Sequence, residues 1–262
     1  SGRSGRSTPK TVARLPGAVM GSQRLKAIAV RGRGKLEPKD PEALAQVQKW
    51  FRERYDRNAD MLHKFGTSRN VVAFSTDGIL PTRNFQQGSF ERAKEISGQH
   101  MAATILTDEG TCFACAIACK REVEVPELEV TPTYGGPEYE TIGASGSACG
   151  IGDLKVIAKF NQLCGQYVVD TISAGMTIAF AMECFEKGIL TTADTDGIDL
   201  RFGNGDALLQ MVVKMARREG FGDVLEKLVE ELPLLRTALG GAYPLARGPV
   251  ARRMIAACWP HR

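Results

Sequence analysis

Residues 153–188, DLKVIAKFNQLCGQYVVDTISAGMTIAFAMECFEKG, decide the fold class. The apolar pattern on either side of Val168 is helical, which predicts two consecutive helices, and GDALLQMVVKMARREG (205–220) predicts a third. Asp170 reads as the N-cap of the second helix, since DTISAG opens a helical run. Gly188 and Gly220 read as helix-ending punctuation. Cys164 and Cys184 fall within these apolar patterns and read as core residues.

Upstream of these helices, the segment EVEVPELEVTPTYGGPEYET (122–141) alternates apolar and acidic residues, then turns at Gly135-Gly136-Pro137. SFERAKEISGQHMAATI (89–105) predicts a helix with Gly98 as an interruption or C-cap. GTSRNVVAFSTDGILPTRNFQQG (66–88) predicts a folded loop region with brief strands. Asp40-Pro41 reads as an N-cap with proline at the first helical position. It opens PEALAQVQKWFRERYDRN, where Leu44, Val47, Trp50 and Phe51 recur at helical spacing. LKAIAVRG (25–32) predicts a short strand. The fold class is therefore mainly α, with a short β remnant at the N-terminus.

Composition narrows the function. A chain of 262 residues with 43% hydrophobic and 24% charged residues can bury a full core. A net charge of +4 without a basic stripe gives no case for nucleic acid. No apolar run approaches a membrane span, and no secretory leader is visible at the N-terminus. Seven cysteines, three of them bunched, are unlike the paired framework of a secreted protein and predict a reducing cytoplasmic setting.

The bunched cysteines stand in TCFACAIACKRE (111–122) as Cys112, Cys115 and Cys119. This spacing places three sulfurs on one face if the segment is helical. Zinc is poorly supported: the histidines are only His63, His100 and His261, and there is no second CxxC. An iron–sulfur cluster, held by close thiolates and one more distant ligand, fits better. Cys149, Cys164, Cys184 and Cys258 are fourth-ligand candidates by count, and no spacing rule selects one. Phe113, Ala114, Ala116, Ile117 and Ala118 would keep water from such a cluster, and Lys120-Arg121 would offset thiolate charge.

Six stretches in fixed order carry a wider likeness. They are GAVMGSQRLKAIAVRG (17–32), GILPTRNFQQGSFERAKEISG (78–98), CFACAIACKRE (112–122), YGGPEYETIGASGS (134–147), VDTISAG (169–175) and FGNGDALLQMVVKMARREGFGDVL (202–225). The chain so read resembles the tungsten-containing aldehyde ferredoxin oxidoreductases. That resemblance implies helical middle and C-terminal domains of this fold. It implies a tungsten (or molybdenum) bis-pyranopterin, a 4Fe-4S cluster, an aldehyde oxidised with water to a carboxylic acid, and ferredoxin as electron acceptor.

By the same resemblance Cys112, Cys115 and Cys119 match three cluster ligands, and the fourth is expected outside this chain. Glu138 and Glu140 match the acidic stretch near the metal, where a buried carboxylate would take a proton from attacking water. Asp170 matches an acid that accepts from pterin nitrogens. Gly17, Ala18, Gly21 and Ser22 match the small-residue turn beneath the cofactor. Two departures stand out: Gly165 and Val168 occupy positions where an acidic or amide residue and a glycine are expected, and TVARLP replaces a glycine- and arginine-rich lead-in.

On this reading residues 1–34 are a remnant of the β-rich cofactor-binding domain, with 1–14 non-native. Residues 35–231 form the helical iron–sulfur and pterin region, and 232–262 are an unmatched tail. Both ends lack acids outside Glu37–Glu231, which suggests an interior flanked by out-of-frame sequence. Such a piece is expected to form a homodimer or to depend on another chain. Two other readings are a non-catalytic iron–sulfur electron-transfer or scaffold fragment, and a relative that reduces aromatic thioesters.

Overall fold

The computed structural model describes residues 20, 23–25, 27–29, 31–34, 37–112, 115–228, 250, 253 and 254. Gly17, Ala18, Gly21, Ser22, Phe113, Ala114 and Cys258 lie outside the described residues, as does most of 232–262.

The molecule is mainly helical, as the sequence predicts. Helix α1 (Pro41–Glu53) starts where expected, with the Asp40 carboxylate accepting from Ala43 N at 2.9 Å. It breaks at Arg54, and short helices α2 (Tyr55–Asn58) and α3 (Asp60–Phe65) follow. Leu44, Val47 and Trp50 do share a helix, yet α1 buries no residue and all three are exposed. Next come α4 (Val71–Thr76) and α5 (Gly98–Thr104).

Strands β1 (Leu106–Gly110) and β2 (Lys120–Val123) form an antiparallel pair with Glu109 opposite Arg121 and Gly110 opposite Lys120. The cysteine segment is the loop at the tip of this hairpin. The short helix α6 (Tyr139–Thr141) leads through a π-helical turn at Ile142–Gly146 and a 3₁₀ turn at Ser147–Cys149. Helices α7 (Leu154–Tyr167), α8 (Thr171–Glu186) and α9 (Gly205–Arg217) complete the described scaffold, and residues 221–228 are helical.

Why α8 is central follows from its composition. Ala174, Gly175, Thr177, Ile178, Ala179, Ala181, Met182 and Cys184 leave almost no polar face, so all sides must be covered. Helices α7 and α9 are amphipathic and cover it together with the π-helical turn. Phe160, Ile178, Met182, Leu208 and Met211 are fully buried between them. Each such side chain contributes about 1.5–3 kcal/mol through burial. Side-chain caps from Asp153, Asp170 and Asn204 start the three helices.

Four local expectations are corrected. The described residues of 25–32 form no strand, and the described sheet is instead β1–β2. Residues 71–76 are helical, and within 66–88 the ladder is reduced to one bridge between Thr82 and Gln87. Residues 91–96 are turns, and Gly98 begins a helix rather than ending one, with Ser97 as its N-cap. A Cβ at Gly98 would lie 2.2 Å from Phe65 O, so packing fixes that glycine. Lastly, described residues of 111–119 are loop, so the cysteines do not line a helix face.

Candidate functional site

The site is built on the β1–β2 hairpin tip. Backbone turns shape the loop: Cys115 N donates to Cys112 O at 3.1 Å, and the Thr111 hydroxyl reaches Cys115 O at 2.7 Å. Side chains from α2 and α3 hold its far limb. His63 Nδ1 donates to Ile117 O at 2.8 Å, and the Tyr55 hydroxyl reaches Ala116 O at 3.4 Å. Ala118 takes a left-handed conformation, φ +53°, just before Cys119.

Arg121 fastens the loop to α3. Its side chain is only 2% exposed. Nε donates to Cys119 O, one Nη to Lys64 O, and the other to His63 O and Ala118 O. Burial pulls this guanidinium below its ordinary pKa, opposed through space by Glu109, Glu138 and Cys119. It stays charged at neutral pH because an arginine does not lose its proton in a protein.

Cys112 is exposed, and Cys115 and Cys119 are half-buried. Burial and the Glu138 carboxylate push the Cys119 thiol up; a backbone hydrogen bond opposes this, and the neighbouring Cys115 and Cys112 add to it. Cys149, Cys164 and Cys184 lie in the hydrophobic core. Burial pushes the Cys149 thiol far up and that of Cys164 to about 12, the latter with help from Asp170. Burial keeps the Cys149 and Cys164 thiols protonated, and all three cysteines pack among core side chains, as the sequence predicts for Cys164 and Cys184. Among the described residues no three His, Cys, Asp or Glu side chains are gathered closely enough to hold a metal ion. The donor chemistry nonetheless fits a thiophilic group: three thiols share one loop, backed by a buried cation.

The two glutamates separate. Glu138 is half-buried, bonded by the Thr67 hydroxyl, which also receives Tyr139 N at 2.9 Å. Its charge reaches both Cys119 and Arg121. Glu140 is exposed, so the expectation of a buried carboxylate fails there and is met only halfway at Glu138. Thr67 was not legible as a site residue, since its partner is 71 residues away.

Asp170 caps α8, accepting from Ser173 N at 2.7 Å. The neighbouring Thr171 hydroxyl lies 2.9 Å from that of Thr141, which ties the start of α8 to the Glu138-bearing turn. The turn bearing Glu138 and the helix capped by Asp170 are thereby linked, and Gly136 of the same turn packs against Arg121 at the base of the cysteine loop. Gly17, Ala18, Gly21 and Ser22 of the predicted turn lie outside the described residues. Val168, where a glycine was expected, adopts φ +58° at the end of α7 and is 70% exposed.

Comparison with known proteins agrees with this architecture. Residues 42–232 match the family model for aldehyde ferredoxin oxidoreductase, domains 2 and 3. The chain is 42% identical over 215 residues to the tungsten-containing aldehyde ferredoxin oxidoreductase of Pyrococcus abyssi, covering 80% of this chain and 35% of that protein. It is 43% identical over 213 residues to the corresponding Thermococcus kodakarensis protein, with the same coverage. An aliphatic sulfonate oxidoreductase, WOR-like subunit, of Pyrococcus furiosus is 27% identical over 217 residues, 80% of this chain and 34% of that one.

Among solved structures, the active-site complex of a benzoyl-coenzyme A reductase with 1,5-dienoyl-CoA superposes with a TM-score of 0.61. The match has 22% identity and covers 91% of this chain and 36% of that one, a likeness of fold. The chain spans about a third of the length of the curated relatives it matches. On the family model and these identities, the chain belongs to the aldehyde ferredoxin oxidoreductase family.

Proposed function

We propose that this chain supplies the iron–sulfur loop and part of the cofactor wall of a tungsten-dependent aldehyde oxidoreductase working in a reducing cytoplasm. The observation that carries the reading is a three-thiol loop whose base, at Arg121, packs against Gly136 of the Glu138 segment, itself tied to the Asp170-capped α8, within a chain of this family. Cys112, Cys115 and Cys119 would hold a 4Fe-4S cluster, with the remaining ligand supplied from outside the described residues. Asp170 and the turn at Gly17, Ala18, Gly21 and Ser22 would border a tungsten (or molybdenum) bis-pyranopterin.

When bound, the metal–pterin group supplies the two-electron oxidation. An aldehyde and water give a carboxylic acid, two protons and two electrons, and ferredoxin takes the electrons singly. Glu138 is the proposed proton acceptor, held in place by Thr67; exposed Glu140 is not needed for this step. The assembled enzyme is a homodimer or includes a further chain that completes the site.

Anaerobic purification with metal and sulfide analysis tests the cofactor reading. Tungsten or molybdenum together with iron and sulfide is the expected result. Iron and sulfide alone would point to a cluster-holding electron-transfer or scaffold fragment. In the assembled enzyme, Glu138→Gln is expected to lower aldehyde kcat by about 10²–10⁴-fold, as for loss of a general base, while Glu140→Gln leaves it near wild type. Full turnover by Glu138→Gln would remove that residue from the mechanism.

A further inference from the structure

Arg121 is shielded from solvent beneath the hairpin loop, and no carboxylate is bonded to its guanidinium among the described residues. Its four hydrogen bonds run to backbone carbonyls: 3.2 Å to Cys119 O, 3.0 Å to Ala118 O, 2.6 Å to His63 O and 2.9 Å to Lys64 O. These engage all three nitrogens but supply no ion-paired carboxylate, and a charge held away from water without one is costly. Glu109 and Glu138 influence it only through space.

The surroundings are shaped to seat this side chain. A Cβ at Gly66, where φ is +63°, would come within 3.2 Å of Arg121 Cδ and Nε. One at Gly136 would lie 2.9 Å from Arg121 Cβ. Two of the four carbonyls belong to the cysteine loop itself, including that of Cys119. A buried cation is therefore locked against the one segment where three thiols stand together.

We propose that Arg121 is the standing countercharge of the cysteine loop, placed to offset the negative charge that gathers when Cys112, Cys115 and Cys119 bind metal as thiolates. This rests on the reading of the loop as a metal-thiolate site. It goes further in assigning affinity and reduction potential to one residue that does not touch the metal. A plain structural clip, needing only the hydrogen bonds, is the competing explanation.

Two substitutions divide the possibilities. Arg121→Lys keeps the charge but loses the fork of donors; Arg121→Gln loses the charge and keeps some donors. Each variant of the 262-residue chain, and the wild type, is titrated anaerobically with cobalt(II), read by thiolate-to-cobalt charge-transfer absorption. Both variants are expected to melt at lower temperature than the wild type. The charge role predicts about ten- to a hundredfold weaker cobalt binding in Arg121→Gln, the range for removing a supporting group around a metal, with Arg121→Lys close to wild type.

After reconstitution with iron and sulfide, Arg121→Gln should bind its electron more weakly. A tenfold change in the reduced-to-oxidised ratio is about 59 mV downward for a one-electron couple. Tyr55→Phe loosens the loop without altering charge and should leave the potential in place. Equal loss of cobalt affinity in both Arg121 variants, with an unchanged potential, would overturn the proposal. If Arg121→Gln does not fold, Arg121→Lys decides alone: wild-type cobalt affinity despite lower stability supports the charge role, and a tenfold loss overturns it. Failure of the metal-site reading itself would show first, as a wild-type chain that takes up neither cobalt nor iron and sulfide.

Discussion

Val168 is a β-branched residue in a left-handed conformation, exposed at the end of α7. The cost of that conformation for a residue with a Cβ is about 1–2 kcal/mol. Glycine avoids it but gains freedom in the unfolded chain, so Val168→Gly should stabilise the protein by about 1 kcal/mol or somewhat less. The urea midpoint is the measurement, with Val168→Ala expected to gain much less, since alanine keeps the Cβ. A midpoint lowered by Val168→Gly would mean that the side chain has a packing role. The sequence did mark this position, because a valine stood where a glycine was expected. Asp170 as a cap was equally legible, its signal lying within three residues. Glu138 was legible as a candidate but not separable from Glu140, since the choice depends on Thr67 across the fold.

At the scale of elements, α8 and the π-helical turn are pressed together through a glycine. A Cβ at Gly175 would lie 2.8–2.9 Å from the backbone and Cβ of Ala144, with no flexible side chain to yield. Gly175→Ala should therefore destabilise by about 1–3 kcal/mol, the usual cost of overpacking. Gly143, in the same turn, has nothing within 4 Å of such a Cβ. Gly143→Ala should be neutral or gain up to about 1 kcal/mol through reduced chain entropy. Thermal or urea unfolding of the pair checks both, and equal losses would refute the packing argument. Helices α7, α8 and α9 were readable from their apolar patterns, to which α8 adds the Asp170 cap and α8 and α9 the closing glycines. Helix α4 was not: residues 66–88 read as loop with brief strands, and the β-branched pair at 71–72 favours a strand until Val71 is buried in the core. The cysteine segment misled differently, since its spacing suits a helix while its backbone is spent on Thr111, Tyr55, His63 and Arg121.

Across the whole molecule, Asp196 knits the turn after α8 to the C-terminal part of the scaffold. Its carboxylate accepts from Phe221 N at 2.8 Å and from Lys214 Nζ at 3.0 Å. Those bonds, the Phe221 amide foremost, hold its pKa below the ordinary 3.8. Asp194 is held low in the same way by Thr191 N and Arg253. A depressed carboxylate pKa means stability that is present above the unfolded value and lost as pH falls through the folded one. Wild-type unfolding free energy should thus decline below the ordinary carboxylate range. Asp196→Asn should be less stable at neutral pH, and its deficit should shrink as pH falls below the ordinary carboxylate value of 3.8. A deficit that stays constant between these conditions would show that the carboxylate's charge is irrelevant.

The hairpin carries a consequence for the order in which the site is assembled. Cys112, Cys115 and Cys119 lie in one short closure between paired strands, with Gly110 facing Lys120. Closing so small a loop is fast, on the order of 10–100 ns for about ten residues, and hairpins follow in microseconds. His63 and Lys64, by contrast, reach Arg121 across nearly 60 positions of chain. The thiols are therefore neighbours from the earliest moments of folding, and the clasp that buries Arg121 comes later. A nascent chain presents its sulfurs as a local unit first and acquires their electrostatic setting only when the distant helices arrive.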